Sequence, residues 1–228
     1  MNKIERLIRD LCPDGVALTE LGKVATYTRG ISYKKTDEQL DGSIKVLRSN
    51  NITLVSNTLN FDDVKSVSKV VRIRPDQWLK NADILISAAS GSKAHVGKVA
   101  YISHNNVGYS FGAFMAVIRT DRMLLNPKFL YYLLSGRSFE KYLQTALQFT
   151  TIKNLNAGII KGFTIPIPPL QVQHEIVRIL DTFSELEAEL EAELEAELEA
   201  ELEARRKQYR HYRDRILSFT PPHHMKNI

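Results

Sequence analysis

Runs of β-branched and aromatic residues, cut by Gly, Asn and Ser clusters, mark strands through much of the first ~165 residues. VALTELGKVATYTRG predicts a strand, a turn and a second strand, and IKVLRSNNITLV is β-rich. NADILISAAS predicts a buried strand entering a loop of small residues, and KVAYIS and GAFMAVIRT predict further strands. Helical spacing predicts an opening helix at Lys3–Leu11, closed by the breaker CPDG. It returns in NPKFLYYLLSGRSFEKYLQTAL, with Asn126-Pro127 at its start and an interruption at Gly136. FTIPIPPL reads as extended, because each proline disfavours the α region at the residue before it.

The pattern then changes. Pro168-Pro169 is a natural helix start, and from Leu170 to Phe219 the chain has neither Pro nor Gly until Pro221-Pro222. Fifty helical residues would span roughly 75 Å. Within this stretch Leu-Glu-Ala-Glu repeats from Leu186 onward and ends in the basic run RRK. At 100° per residue each repeat leucine advances by about 40°, so Leu186, Leu190, Leu194, Leu198 and Leu202 drift across one face. Val172, Ile176, Ile179, Leu180 and Phe183 upstream, and Tyr209, Tyr212 and Ile216 downstream, fall on that same face. A helix with so long an apolar stripe is expected to bury it on another helix. The alternative is a solvated single helix held by charge pairs. Against it, Glu185 to Glu203 contributes ten Glu with no Lys or Arg, so no i,i+4 ion pair forms within the run. A parallel in-register partner would stack Glu on Glu and the Arg205–Arg215 cluster on itself. An antiparallel partner can offset both, and it is either a second copy or another segment.

The fold class expected is α+β: a mixed, β-rich domain over 1–167, a long pairing helix over 168–219, and a disordered tail over 220–228. The net charge of +5 conceals an asymmetry. Residues 1–180 carry 24 Lys and Arg against 14 Asp and Glu, whereas 181–228 carry 7 against 12. A globular part this basic suits a polyanion such as nucleic acid, or is a basic domain without such a partner. No run of eighteen apolar residues predicts a membrane span, and MNKIERLIRDLCPDG lacks the apolar centre of a secretory signal. The single cysteine, Cys12, reads as an inert thiol of a cytoplasmic protein.

Motifs of catalysis are wanting. GSKAHVGKV at Gly91–Val99 resembles a phosphate loop, but five residues rather than four separate its glycines. Val99 also stands where a Ser or Thr should hold magnesium. No Asn-Pro-Pro-aromatic motif, Gly-x-Gly-x-x-Gly loop, metal spacing or paired-carboxylate signature occurs. His95 and His104 read as polar loop contacts rather than bases, and His223-His224 as part of the tail.

What remains is a set of polar, basic loops: TYTRGISYKK, RSNN, SAASGSKAH, SHNNVGYS and QFTTIKNLN. Arg and Lys can take guanine O6 and N7, Asn and Gln can pair with adenine, and Ser and Thr reach phosphates. The candidate contacts are Lys34, Lys35, Arg48, Asn50, Ser92, Lys93, His95, Tyr109, Gln148, Thr151 and Lys153. Surface loops in general share this composition, so each loop alone says little.

Taken together, several stretches resemble the specificity subunits of type I restriction–modification systems. They are LTELGKVATYTRG, VLRSNNIT, LKNADILIS followed by GKVAYIS, FLYYLLSGRSF, TIKNLNAGIIKGFTIPIPPLQVQHEIVRILD, and the repeat ending in RRKQYRHYRDRILSF. The resemblance spans about residues 17–219 and is most specific at IPIPPLQVQHEIVRILD. It implies a non-catalytic subunit that reads double-stranded DNA. A full subunit of that family has two target-recognition domains and two antiparallel helices. This sequence has one of each, so it resembles a half-length form that a homodimer would complete. Modification subunits, and through them restriction subunits, would be its partners. S-adenosylmethionine, ATP and magnesium would belong to those partners and not to this chain. Each LEAE unit adds roughly 6 Å of helix, so repeat number would set the gap between half-sites. An enzyme with an unrecognised site, or a coiled-coil scaffold, are the competing readings.

Overall fold

A computed structural model describes residues 3–148 and 154–218. The chain divides into two compact units, 1–177 and 178–228. The tail expected over 220–228 lies outside the described residues, as do Thr151 and Lys153.

The first unit opens with helix α1 (Lys3–Leu11), as the sequence predicts. Strands β1 (Leu18–Glu20) and β2 (Ala25–Arg29) flank a 3-10 turn over Leu21–Lys23. They do not form a hairpin. β1 pairs antiparallel with the distant β9 (Thr164–Pro166), while β2 joins a four-stranded sheet. That sheet has the order β2-β8-β5-β6, with β5 at Ile84–Ser87, β6 at Val99–Tyr101 and β8 at Met115–Thr120. All its pairs are antiparallel. A second sheet, β4-β3-β7, comprises β3 (Ile44–Leu47), β4 (Lys65–Val67) and β7 (Ser110–Phe111), with β7 parallel to β3.

Strand β5 reads ILIS and every residue in it is buried. Successive strand side chains face opposite ways, so full burial requires cover on both faces. Ile84 and Ile86 join Val99, Ala116 and Ile118 in a core formed with helix residues Phe129, Leu130, Leu134, Phe139, Leu143 and Ile160. Leu85 faces the other way and joins Ala100, Met115 and Val117 with Leu47, Ile52, Leu79 and Phe111. A third cluster, Ile31, Ile44, Val46 and Val67, packs with Trp78. Full burial of such an aliphatic side chain contributes about 1.5–3 kcal/mol.

The helices on the first face are α2 (Pro127–Ser135), α3 (Arg137–Ala146) and the short α4 (Ala157–Lys161). Asn126 caps α2, its side chain accepting from the backbone N–H groups of Lys128 and Phe129, with Pro127 in the first turn. Gly136 separates α2 from α3 at the interruption the sequence predicts. The composition of QFTTIKNLN predicts loop through to Asn156. Asn156 is the last residue of that loop and caps α4, accepting from the Ile159 N–H.

Helix α5 runs over Leu170–Leu217. Its first two turns belong to the first unit. Gln173, wholly buried, accepts from the Asn126 N–H and donates to the carbonyls of Leu124 and Pro168. Glu175 forms an ion pair with Lys3 at 2.8 Å, joining α1 to this turn. Val172 is buried as well, and Ile176, expected on the pairing face, packs with Val177 against the core of its own unit. In the second unit Phe183, Leu186, Leu190, Leu194, Leu198, Leu202, Tyr209, Tyr212 and Ile216 are all exposed, whereas Ile179 and Leu180 are half-buried. At the end of the repeat Glu201 pairs with Arg205 and Glu203 with Lys207, each i,i+4. No described helix is long and apolar enough to cross a membrane.

Candidate nucleic-acid interface

Antiparallel register decides which loops meet. Arg29 at the end of β2 lies opposite Ala116, and Ser87 at the end of β5 lies opposite Met115. Val99 at the start of β6 lies opposite Ile86. The loops after β2 and β5 and the turn before β8 therefore share one end of the sheet. SHNNVGYS leaves β6 at the other end, because Tyr101 lies opposite Ile84. The Thr-Tyr-Thr part of TYTRGISYKK is strand rather than loop, paired along β8.

The turn Gly112–Met115, closed by Met115 N–H to the Gly112 carbonyl (2.8 Å), is the hub of that end. Gly30 N–H donates to the Met115 carbonyl and Ile31 N–H to that of Phe111. Gly112 N–H donates to Leu47 at the exit of β3, which brings in RSNN. Ala88 and Ala89 both donate to the Phe114 carbonyl (2.8 and 2.9 Å), which brings in SAASGSKAH. Leu155 N–H donates to Ala88, and Arg29 holds the same segment, donating to the Leu155 carbonyl and to Asn154 Oδ1. Three of the five loops thus converge, and the described end of a fourth, Asn154–Leu155, joins them. The approach is close enough to require glycine: a Cβ on Gly30 would collide with the carbonyl oxygens of Phe111 and Gly112, backbone atoms that cannot swing aside.

Between these loops lies a cleft of about 410 Å³, lined by Ile31, Ser32, Tyr33, Arg48, Asn50 and Phe114 among others. Arg48 is half-buried. Its Nη2 donates to Asp63 Oδ2 (2.6 Å) and to the Asp63 carbonyl (3.3 Å), while its Nε is buried without a partner among the described residues. Asn50 is exposed and also donates to Asp63 Oδ2 (3.2 Å). Beneath them Asn51 is buried. It accepts from the Arg48 N–H and donates to the carbonyls of Asn60 and Asp63, which fixes the backbone of both loops. Burial and the neighbouring Glu38 push the Tyr33 phenol above its ordinary value, with Arg48 acting against them. Tyr33 is therefore a neutral donor near pH 7. Phe114 presents its ring to solvent, 65% exposed, from a turn whose carbonyl is doubly bonded.

Arg48 and Asn50 are thus brought together, with Lys34 and Lys35 exposed on the adjoining loop. Ser92 is exposed and His95 half-buried in the loop after β5, where Lys93–His95 forms a single 3-10 turn. Gln148 is exposed just beyond α3. Tyr109 stands apart: it is half-buried at the entry of β7, its ring 5.4 Å from Phe61. Sequence reasoning did not single out Tyr33, Asp63 or Phe114. The first lies within a loop it named. An acidic residue is not sought in a polyanion site, and Phe114 read as one more strand residue of GAFMAVIRT. Among the described residues no group of three His, Cys, Asp or Glu side chains could hold a metal ion.

Arrangements of this kind carry cations, amides, hydroxyls and an aromatic ring on a rigid β frame, which suits phosphate and base-edge contacts. Comparison with known proteins finds relatives across most of the chain. The chain is 30% identical over 175 residues to the EcoKI specificity subunit of Escherichia coli K12, covering 75% of this chain and 36% of the relative. It is 30% identical over 217 residues to the EcoprrI specificity subunit of Escherichia coli, covering 90% and 51%. The chain thus spans about a third to a half of the length of these curated relatives. Among solved structures, a chain of a type I R-M system superposes with a TM-score of 0.60 at 23% identity, covering 82% of this chain and 43% of its own. The HsdS subunit of Thermoanaerobacter tengcongensis superposes with a TM-score of 0.55 at 20% identity, covering 82% and 44%. A family model described as the type I restriction modification DNA specificity domain matches residues 13–200. A match over most of the chain places it: the protein belongs to the type I restriction–modification DNA specificity family.

Proposed function

We propose that this chain is the sequence-reading, non-catalytic subunit of a cytoplasmic type I restriction–modification complex, and that its first unit reads one half of a split DNA site. The observation that carries the reading is the convergence of three loops on the Gly112–Met115 turn, with Leu155 bonded to one of them, which puts Arg48, Asn50 and Tyr33 in one cleft beside exposed Lys34 and Lys35. Cations there supply the phosphate term, and side chains on a fixed backbone supply the base term. Modification subunits perform methylation with S-adenosylmethionine, and restriction subunits joined through them perform cleavage with ATP and magnesium.

The second unit completes the reading domain by pairing. The exposed leucine stripe from Leu186 to Leu202 is the motivation. Two copies lying antiparallel bury it and set each Arg205–Arg215 cluster away from its twin. Two identical domains related by a twofold axis then read a palindrome of two half-sites separated by a fixed gap. Coexpression of the full chain with a modification subunit, followed by mapping of methylated positions, tests this. A bipartite palindrome is expected. Methylation at unrelated sequences, or methylation or cleavage by the purified chain alone, refutes it.

A further inference from the structure

We infer that Asp63 is a positioning residue for sequence reading: it holds Arg48 and Asn50 in the geometry that discriminates bases, at a cost in general affinity for DNA. The inference rests on the DNA-reading role proposed above and adds a residue to it. A basic, DNA-facing cleft gains affinity from every cation and loses it from every exposed carboxylate. Yet Asp63, its side chain 61% exposed, sits beside the two cleft side chains best suited to base edges. Its Oδ2 accepts from Arg48 Nη2 at 2.6 Å and from Asn50 Nδ2 at 3.2 Å. Its carbonyl accepts from Arg48 Nη2 and from the buried Asn51 amide. Asp63 is thus fixed through its backbone and tethers two reading side chains through its carboxylate.

The chemistry of the tether has two consequences. A guanidinium anchored at Nη2 by two acceptors of Asp63 swings less freely and offers its remaining N–H groups in a narrower range of directions, which favours the paired acceptors of guanine over other bases. Released, the same guanidinium would swing to the nearest phosphate, which every sequence offers. The carboxylate also repels phosphate, so a DNA duplex that fails to satisfy Arg48 and Asn50 is penalised more than one that does. Asp62 provides the internal contrast. It too is exposed and carries the same charge, but its carboxylate accepts from Asn60 rather than from a cleft residue.

The test uses the full chain, wild type and with Asp63→Ala or Asp62→Ala, and a randomised DNA duplex pool as probe. The pool is selected on each protein, and affinity is then measured for the enriched duplex and for an unrelated one. Asp63→Ala is expected to bind the unrelated duplex more tightly than wild type and to lose at least about fivefold discrimination at one position of the site. Asp62→Ala is expected to gain a similar general affinity with its discrimination intact. A merely structural role for Asp63 would weaken both duplexes together, and a merely electrostatic role would make the two variants alike. Either result overturns the inference while leaving the DNA-reading role standing. A wild-type chain that enriches no sequence overturns both.

Discussion

Arg119 in β8 and Asp83 just before β5 tie the four-stranded sheet to the Asp76–Trp78 segment. Arg119 Nε and Nη2 meet the Asp83 carboxylate at 2.7 and 2.8 Å, and the remaining donors hold the carbonyls of Asp76 and Trp78. Asp83 is almost fully buried, so removing its partner leaves an uncompensated charge inside the protein. Arg119→Ala is expected to destabilise the unit by about 3–5 kcal/mol, read as a lower midpoint in urea or thermal unfolding. Neither residue stood out in the sequence, since an Arg and an Asp 36 positions apart carry no local signal of their pairing. Phe114 makes the opposite case. Its ring covers no core, so Phe114→Ala should leave unfolding midpoints nearly unchanged. On the proposed function it should weaken binding to the selected duplex more than to an unrelated one, because the ring no longer packs against a base. Equal weakening on both duplexes would assign the ring to general affinity only.

Among the elements, helices were the most legible. The Asn126-Pro127 start, the Gly136 break and the long helix from Leu170 all stand as the pattern predicts, because caps and periodicity act within a few residues. The leucine stripe follows from the same local rule, and its exposure throughout the repeat leaves it in need of a partner. Replacing Leu190, Leu194 and Leu198 together with Lys should abolish self-association and yield a monomer in light scattering or sedimentation. A wild-type chain that stays monomeric at micromolar concentration would remove the basis for an antiparallel pair. The strands were legible singly and illegible as sheets. β1 and β2 follow each other across a turn as the sequence predicts, yet β1 pairs with β9 and β2 with β8.

At the scale of the whole molecule, the repeat makes a geometric prediction. If two copies pair antiparallel, inserting one LEAE unit between Leu186 and Leu202 separates the reading domains by roughly 6 Å and turns each by about 40°. DNA offers only whole base pairs of roughly 3.4 Å rise, so the gap should grow by about one or two base pairs. The half-site sequences should stay the same, since no reading loop is touched. Mapping methylated sites in cells that carry the modification partner would show it, and an unchanged gap would refute the spacing role. The sequence by itself determined what is set locally: the starts of the long helices and the Gly136 break, the strand-rich character of the first unit, the basic loops and the uninterrupted apolar stripe. Only the tertiary structure decided which loops meet, that Gly30 allows their approach, that Ile176 packs on its own core, and that Asp63 lies on Arg48 and Asn50. The physical reason is the range of the interactions. Periodicity and capping are fixed by neighbours along the chain. Strand pairing and loop convergence are fixed by burying apolar faces contributed by segments far apart in the chain, and no short stretch records which partner closes that distance at the lowest free energy.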